Sequence, residues 1–316
     1  MNFLTNLYII ISKRGINYLL PAIYYFLKVI FFKFFRKKII KKRIYNFDMF
    51  LDIFDKGISR TLLLFGEREL EHKYILENNL KEGMVVLDIG SNIGYYPLIE
   101  LNIIKNTGKL IAVEPSPENY LMLKKNLALN GYLKSNNVIT TYNLAISNKS
   151  EVKKFYISRY SNLNSFHLEK ENKYLNENSY INIQTKNILE ISEEKKIDFI
   201  RMDVEGHEVA ILNSLSEYIK KTNHKPIILF EPHLKRYNKK NNIVTALTNL
   251  FDLGYKKILI GSSSKNGSKI ISDLGYESKL KFKTDENTRK IFYDISQEHA
   301  IKIISEIGGA RSVLLK

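Results

Sequence analysis

Four ionisable side chains follow an apolar run at residues 197–202. They are Asp203, Glu205, His207 and Glu208. The apolar run is typical of a buried strand, and residues 209–215 have the spacing of an amphipathic helix. In an open α/β sheet, ligands bind at the carboxyl ends of the strands. The position of these charges therefore predicts a site for binding or proton transfer.

A second polar group is expected beside the first. The apolar segment 225–230 predicts another strand, and Glu231 and His233 follow it directly. Neighbouring parallel strands end at the same edge of a sheet. We therefore expect the two strand ends to form one acidic pocket with imidazoles at its rim.

Proton transfer in such a pocket needs a base that is unprotonated near neutral pH. The imidazole of His titrates near pH 6.5, so His207 or His233 could serve, and burial can raise the pKa of a carboxyl into that range. We take His207 as the first choice of base, with Asp203 and Glu231 as acids that orient the substrate. Glu208 lies on the buried side of the predicted helix and should point inward. Alternatively, Glu205 and Glu208 only bind the amides that open the helix.

Metal binding is a further chemistry open to these residue types, because Asp, Glu and His bind divalent ions. The segment has no fixed ligand spacing, so we predict no metal site. The chain has no Cys. This excludes disulfides and any Cys-ligated zinc or iron–sulfur site, and it fits a reducing compartment.

A second motif, VVLDIGSNIGYYP at residues 85–97, predicts a strand, a glycine turn and a helix. Gly90 and Gly94 allow close approach of a ligand to the backbone. Asn92 stands where the dinucleotide fingerprint has its second glycine, so a pyrophosphate fits poorly. The turn therefore suits a nucleoside without phosphate.

Carboxylates close the first two predicted strands. A carboxylate such as Glu114, at the end of the second strand, can accept hydrogen bonds from both ribose hydroxyls. The end of the third strand, at residues 143–145, should border the adenine. Ordinary strand-end acids are the alternative. The expected cofactor-binding residues are Asp88, Gly90, Asn92, Gly94, Tyr95, Glu114, Pro115, Asn143 and Ala145.

Apolar runs and helical patterns alternate from about residue 80, which is typical of a doubly wound, mostly parallel sheet. Residues 256–272 predict a hairpin around Asn266-Gly267. A polar insertion at about 148–196 predicts two strands, and residues 161–179 between them are a candidate lid or acceptor-binding loop, or a solvated loop. The other predicted strands cover residues 84–90, 109–115, 137–147, 197–203, 225–233 and 311–316.

Four segments together resemble the FkbM family of S-adenosylmethionine-dependent methyltransferases. They are VVLDIGSNIGYYPLI, AVEPSPENYLMLKKNL, NLAIS and IDFIRMDVEGHEVAILNSL. DVEGHE, at residues 203–208, is the most specific element, and the resemblance covers about residues 80–235, with a looser match at the C-terminus. It implies a class I methyltransferase (Rossmann-like) α/β fold with a seven-stranded, mostly parallel sheet and helices on both faces, preceded here by an N-terminal helical extension.

The resemblance also implies S-adenosyl-L-methionine as cofactor and O-methylation of a hydroxyl. The expected acceptor is a small molecule or a glycan, with the hydroxyl on a sugar of a glycan, glycolipid or secondary metabolite. RNA methylation is an alternative, because the isoelectric point is 9.5. However, residues 1–46 carry ten of the sixteen net positive charges and no Asp or Glu, so nucleic acid is a poor match for the main domain. A non-catalytic, membrane-associated protein that keeps the fold is a third alternative.

The N-terminal segment is predicted to be helical, aromatic-rich and basic over residues 16–43. Phe32, Phe35 and Ile39 recur at helical spacing between basic residues, which is the pattern of a helix in an anionic membrane interface. A cap packed on the domain and a true span are the alternatives. We divide the chain into this extension (1–46), a helical lead-in (47–79) and a methyltransferase domain (80–316), located in the cytoplasm or peripherally on the cytoplasmic face of a membrane.

Overall fold

Strands and helices alternate through most of the chain. The computed structural model describes residue 11 and residues 15–134, 138–158, 160, 162–168, 176–193, 195–284 and 287–316. The strands are β1 Ile39–Ile44, β2 Phe47–Asp52, β3 Val85–Ile89, β4 Lys109–Val113, β5 Ile139–Tyr142, β6 Ala145–Ile146, β7 Val152–Tyr156, β8 Tyr180–Lys186, β9 Phe199–Met202, β10 Ile227–Phe230, β11 Ile258–Ser262, β12 Lys281–Thr284, β13 Asn287–Phe292 and β14 Ala310–Leu315. The α-helices are α1 Leu19–Phe34, α2 Ile58–Phe65, α3 Leu70–Asn79, α4 Tyr95–Ile104, α5 Pro117–Leu129, α6 Ile188–Ser192, α7 Glu208–Thr222, α8 Ile243–Asp252, α9 Lys265–Asp273 and α10 Gln297–Lys302.

A large mixed sheet has the strand order β12-β13-β11-β14-β10-β9-β3-β4-β5. The strands β5, β4, β3, β9 and β10 are parallel neighbours. Strand β14 lies antiparallel between β10 and β11. The strands from β5 to β11 in this order confirm the predicted seven-stranded, mostly parallel sheet, and β12 and β13 add an antiparallel hairpin at its edge.

Helices cover both faces of the sheet. Side chains alternate along β3, so Leu87 and Ile89 pack on one face and Val86 packs on the other. The first face carries α6, α7, α8 and α10, and the second carries α1 to α5 with the β1–β2 hairpin. Helix α7 buries the stripe Val209, Leu212, Leu215 and Ile219. Each such side chain contributes about 1.5–3 kcal/mol relative to exposure.

The predicted hairpin at residues 256–272 is wrong, because β11 is followed by α9. The side chain of Ser264 accepts a hydrogen bond from the amide of Gly267 and so caps α9. Gly267 is needed for close packing rather than for a turn, since a Cβ there would lie 2.5 Å from the carbonyl oxygen of Gly309. The Asn266-Gly267 pair, which often marks a hairpin turn, therefore lies inside a helix in this protein.

The predicted third strand, at residues 137–147, is also divided. Strand β5 ends at Tyr142 and joins the large sheet, whereas β6 pairs with β8 in a smaller sheet of β6, β8 and β7. The change of sheet carries the chain from the edge of the main sheet into the insertion. The insertion has the two strands that were predicted for it, β7 and β8.

The N-terminal helix is shorter than predicted. Ile39, expected on its apolar side, begins β1, and residues 39–52 form the hairpin β1–β2. The predicted helical extension and helical lead-in therefore meet in a hairpin. Ile40 and Ile44 are buried and alternate with more exposed basic residues, which is the pattern of a strand.

Some predictions concern residues outside the described ranges. Among these are Lys13 and Arg14 of the N-terminal extension, residue 137 of the predicted third strand, and residues 161 and 169–175 of the candidate loop. In the part of the chain that the structure describes, no helix is long and apolar enough to cross a membrane.

Candidate active site

The glycine turn after β3 lies directly against the loop after β9. The amides of Gly90 and Ser91 both donate to the carbonyl oxygen of Val113, at 2.9 and 3.0 Å. Gly90 has φ 80°, and a Cβ on it would lie 2.1 Å from the carbonyl oxygen of Asp203. Only glycine fits this position, which brings the cofactor motif and the acidic motif together.

Glu114 lies at the carboxyl end of β4 and is almost fully buried. Its Oε2 accepts from the amide of Asn92 at 2.8 Å, and its Oε1 accepts from the amide of Ser116 at 2.9 Å. Burial raises the pKa of this carboxyl to about 7, although these amides oppose the rise. Oε1 also lies 3.5 Å from Nδ2 of Asn119, so it is Oε2 that keeps a second lone pair for a ligand.

Asp88 lies below the turn and does not line the cleft described below. Its Oδ1 accepts from Nη1 of Arg201 at 3.0 Å, and both side chains are buried. The same Nη1 donates to the carbonyl oxygen of Gly90 at 3.2 Å, and the guanidinium lies 4.0 Å from the ring centroid of Tyr96. Burial alone would lower the pKa of Arg201, but the carboxylates of Asp88 and Asp203 outweigh it and raise it. Arg201 therefore stays charged and holds the turn in place.

The remaining residues expected at the cofactor differ in their placement. Asn92, Tyr95, Pro115 and Ala145 line the cleft, as do Gly90 and Glu114. Gly94 does not line it; it precedes α4 with φ 94°. Asn143 does not line it either, because its amide donates to the carbonyl oxygens of Glu114 and Pro115 at 2.9 and 3.0 Å. Asn143 therefore supports the loop that holds Glu114.

The acidic motif forms a tight turn between β9 and α7. Glu205 has φ 49° and Gly206 has φ 100°, both in the left-handed region. A Cβ on Gly206 would lie 2.4 Å from Cγ of Arg236. Such backbone conformations cost free energy and are concentrated at functional sites. The turn places Asp203 and Glu205 in the wall of the cleft.

Glu208 points inward, as predicted from its helical position. Its Oε1 accepts from Nδ1 of His233 at 2.7 Å and from the amide of Gly206 at 3.0 Å, and its Oε2 accepts from the hydroxyl of Tyr237 at 3.2 Å. Glu208 therefore positions His233 and does not line the cleft. The hydrogen bond from the amide of Gly206 to Glu208 is the kind of contact that the alternative interpretation expected near the start of α7.

His233 faces two further carboxylates. Its Nε2 lies 3.5 Å from Oε2 of Glu205 and 3.6 Å from Oε1 of Glu231. Burial would lower the pKa of His233, but Glu208, Glu231 and Glu205 outweigh this effect and raise it to about 10. The imidazole is therefore a cation at neutral pH and cannot serve as a base in that state.

Glu231 binds Arg311 of β14, which also binds Glu69. Burial raises the pKa of Glu231 to about 8, with Arg311 opposing the rise. Burial likewise raises the pKa of Glu205 to about 7, with His233 opposing it. The pKa values of both carboxyls therefore lie near neutral pH.

His207 lies in the cleft wall and is buried. Its Nε2 lies 3.1 Å from Oγ of Ser147, and its ring centroid lies 4.5 Å from that of Phe166. Burial lowers the pKa of His207 to about 3, with His167 and Lys153 adding to the effect. A base this weak accepts a proton poorly at neutral pH. The structure therefore argues against His207 as the general base.

Three side chains of this pocket could also hold a metal ion by distance alone. Asp203, Glu231 and His233 each place one ligand atom within 4.8 Å of the others. A divalent ion would require His233 to lose its proton and Glu231 to release Arg311. The ion pairs compete with metal binding here.

One cleft joins the two motifs and encloses about 780 Å³, with the open space at its mouth included. The insertion forms one wall through Phe155, Asn162, Asn164 and Phe166. Oγ of Ser165 donates to the carbonyl oxygen of Glu205 at 2.8 Å and so ties the insertion to the acidic turn. The described part of the candidate loop thus borders the site.

Several important residues were not among the predicted site residues. Arg68 lines the cleft and pairs with Glu69 at 2.7 Å. Arg201 could have been noticed, because an arginine inside an apolar strand must be paired when it is buried. Arg311 had no comparable signal, since its partners lie 80 and 242 residues away in the chain.

The family model for the methyltransferase FkbM domain matches residues 88–257, which is more than half of the chain. The chain belongs to the FkbM methyltransferase family. No curated protein matches it. The match spans both the FkbM glycine turn and the acidic turn, and the nine-stranded sheet contains the class I methyltransferase arrangement.

Several solved methyltransferase structures are similar to this chain, with low sequence identity and low TM-scores. An FkbM methyltransferase from Methylobacillus flagellatus KT has 16% identity over 67% of this chain and 43% of that chain, with a TM-score of 0.40. A SAM-dependent methyltransferase from Aquifex aeolicus has 16% identity over 71% of this chain and 90% of that chain, with a TM-score of 0.32. A precorrin-6y C5,15-methyltransferase from Geobacter metallireducens GS-15 has 12% identity over 71% and 86%, with a TM-score of 0.36. The chain thus spans less than half of the FkbM structure.

The buried ion pair below the FkbM glycine turn leads to a stability prediction. Arg201→Met should destabilise the protein by about 3–5 kcal/mol, because it leaves the carboxylate of Asp88 buried without its cation. Denaturant unfolding followed by circular dichroism measures the change. Lys220→Met, which removes an exposed pair with Glu217, is the control and should unfold like the unmodified protein. Equal stability of both variants would contradict the structural role of Arg201.

Proposed function

We propose that this protein transfers a methyl group from S-adenosyl-L-methionine to a hydroxyl oxygen, most specifically to a sugar hydroxyl of a glycan, glycolipid or secondary metabolite. The observation that carries the proposal is the single cleft that joins a buried strand-end carboxylate, Glu114, to a second acidic group around Asp203 and Glu205. Membership of the FkbM family supports the same reaction.

The residues of the glycine turn fit this cofactor. The carboxylate of Glu114 is held by the amides of Asn92 and Ser116 and by Nδ2 of Asn119, and its Oε2 keeps acceptor capacity for a ribose hydroxyl. Apolar side chains beside it, Val113 and Ile146, suit an adenine ring. The cofactor supplies an electrophilic methyl group on a sulfonium. Asp203 and Glu205 lie in the same cleft, and their carboxylates would offset the positive charge of the sulfonium.

On the acceptor side, Glu205 is our choice of general base. It lines the cleft, and its pKa of about 7 matches neutral operating conditions. The protonated His233 lies 3.5 Å from Glu205 and fixes its direction. Asp203 lies on the same wall and would accept a hydrogen bond from a neighbouring hydroxyl of the sugar, which orients the attacking oxygen for in-line attack. The proton released from the hydroxyl passes to Glu205.

A sugar acceptor suits the remaining lining of the cleft. Asn162 and Asn164 supply amide groups, and Phe166 supplies an aromatic face. Hydrogen-bonding amides beside an aromatic ring complement the polar edges and apolar faces of a pyranose. Comparison of glycans and glycolipids from cells with and without the protein by mass spectrometry tests this acceptor class. A species heavier by one methylene group is expected only when the protein is present, and an increment found only on RNA would overturn the proposal.

Cofactor affinity tests the role of Glu114. Glu114→Gln should weaken S-adenosylhomocysteine binding by about 10-fold to 100-fold, because it removes charge-assisted hydrogen bonds to the ribose. Isothermal titration calorimetry measures the dissociation constant. Glu118→Gln, at the exposed start of α5, is the control and should bind as tightly as the unmodified protein. Unchanged affinity of Glu114→Gln would exclude the ribose contact.

Turnover tests the role of Glu205. Glu205→Gln should lower kcat by about 100-fold or more while leaving S-adenosylhomocysteine affinity nearly unchanged, because the base is lost but the ribose contact is kept. Label transfer from S-adenosylmethionine to a glycolipid extract measures kcat. In the unmodified protein kcat should rise with pH through about 7, since the base works only when it is deprotonated. Glu217→Gln on the exposed side of α7 is the control, and a pH profile of Glu205→Gln that matches the unmodified protein would rule out this base.

Chelation tests the metal alternative. Dialysis against EDTA should leave both the rate and the pH profile unchanged, because His233 and Arg311 already supply the positive charge that faces the carboxylates. A loss of turnover that Mg²⁺ or Mn²⁺ restores would show instead that Asp203, Glu231 and His233 bind an ion.

A further inference from the structure

The helix α1 presents a continuous apolar stripe to solvent. Its members are Leu20, Tyr24, Leu27, Phe31 and Phe34, which are 57–82% exposed. They recur at intervals of three and four residues, so they lie on one side of the helix. Ile16 and Ile30 extend the same side and are 72% and 65% exposed. A contiguous apolar surface of this kind marks an interaction site.

The opposite side of α1 is fixed to the domain. Ala22 and Tyr25 are buried in the core that also holds α2. The ring of Tyr18 packs edge-on against Phe65 at 5.6 Å between centroids. The stripe is therefore held outward by packing on the inward side, and the helix cannot turn it toward the core.

The charged residues of α1 and of the turn that follows it are all Lys or Arg. Residues 16–46 contain Lys and Arg but no Asp or Glu. Arg36 and Lys37 are exposed just beyond the last turn of α1, and Nζ of Lys28 lies 4.6 Å from the ring centroid of Tyr24 at the border of the stripe. Lys38, Lys41 and Arg43 pair with Asp52 or Asp48 of β2, so the cations that border the stripe itself are Lys28, Arg36 and Lys37. An apolar stripe bordered by these cations complements a surface that is apolar below and anionic above.

We propose that α1 docks on an anionic lipid bilayer, with the stripe in the interface and the cations at the lipid headgroups. An apolar stripe alone would equally suit a second copy of this chain. The cations favour the bilayer, because two copies would bring their basic segments together and repel. Anionic lipid attracts each such cation with about a fivefold gain in binding.

Docking would bring the cleft close to the bilayer. Helix α1 packs on α2, whose first residue, Ile58, lines the cleft. On the other end of α2, the hydroxyl of Tyr18 reaches Oε1 of Glu67 at 3.5 Å, and the adjacent Arg68 also lines the cleft. A lipid-linked glycan is therefore an acceptor that the docked protein could reach. This last step rests on the proposed function, whereas docking itself does not.

Vesicle co-sedimentation of the full chain tests docking without turnover. The protein should bind vesicles containing phosphatidylglycerol and remain in solution with pure phosphatidylcholine. Arg36→Gln with Lys37→Gln should weaken binding by about 25-fold, and Leu27→Ser with Phe31→Ser by about 10-fold or more. Lys239→Gln with Lys240→Gln, a basic pair next to α8 on the other face of the sheet, is the matched charge control and should bind like the unmodified protein.

Two outcomes would overturn the proposal. One is that the protein sediments equally with both vesicle types, or that all variants sediment with anionic vesicles as well as the unmodified protein does. The other is a dimer in light scattering that Leu27→Ser with Phe31→Ser dissolves, without binding to either vesicle. S-adenosylhomocysteine binding by the same variants should equal that of the unmodified protein, which shows that they are folded and separates a failure of docking from a failure of the methyltransferase assignment.

Discussion

The buried ion pair between Asp88 and Arg201 is the constraint on which the site depends. These residues are direct neighbours across β3 and β9, so the pair fixes the two strand ends relative to each other. Arg201 also binds the carbonyl of Gly90 and approaches Asp203 at 3.5 Å. One guanidinium thus connects the glycine turn with the acidic turn. Because a buried charge without its partner costs several kcal/mol, the two turns are held in register.

The acidic group gains its chemistry from the balance of burial and charge. Burial raises the pKa values of Glu205 and Glu231. The positive charges of Arg311 and His233 oppose this rise, so both carboxyls can still lose their protons near neutral pH. His207, by contrast, lies among an aromatic ring, another imidazole and a lysine, and burial lowers its pKa to about 3. The same burial therefore makes a carboxyl a suitable base and an imidazole an unsuitable one.

The N-terminal helix has one buried side and one exposed side, and the two interpretations of its sequence concern different sides. The packed-cap interpretation fits Ala22 and Tyr25, which are buried, whereas the interfacial interpretation concerns the exposed side with Leu27 and Phe31 and stays a prediction. The expected stripe through Phe32 and Ile39 was wrong in its register, because Phe32 turns toward the core and Ile39 belongs to a strand. A segment rich in aromatics on every side does not reveal which side packs.

Over about residues 80–253 the sequence alone determined the main alternation of strands and helices, the glycine turn, the strand-end position of Glu114 and the inward direction of Glu208, because these follow from local periodicity and turn chemistry. The tertiary structure decided the contacts between residues that are distant in the chain, which local periodicity does not encode. It showed that Gly267 is required by contact with Gly309, that Asp88 is paired rather than facing a ligand, and that Arg311 joins the acidic group from the far end of the chain. It also moved our proposed base from His207 to Glu205, since a pKa depends on burial and on charges brought near by folding.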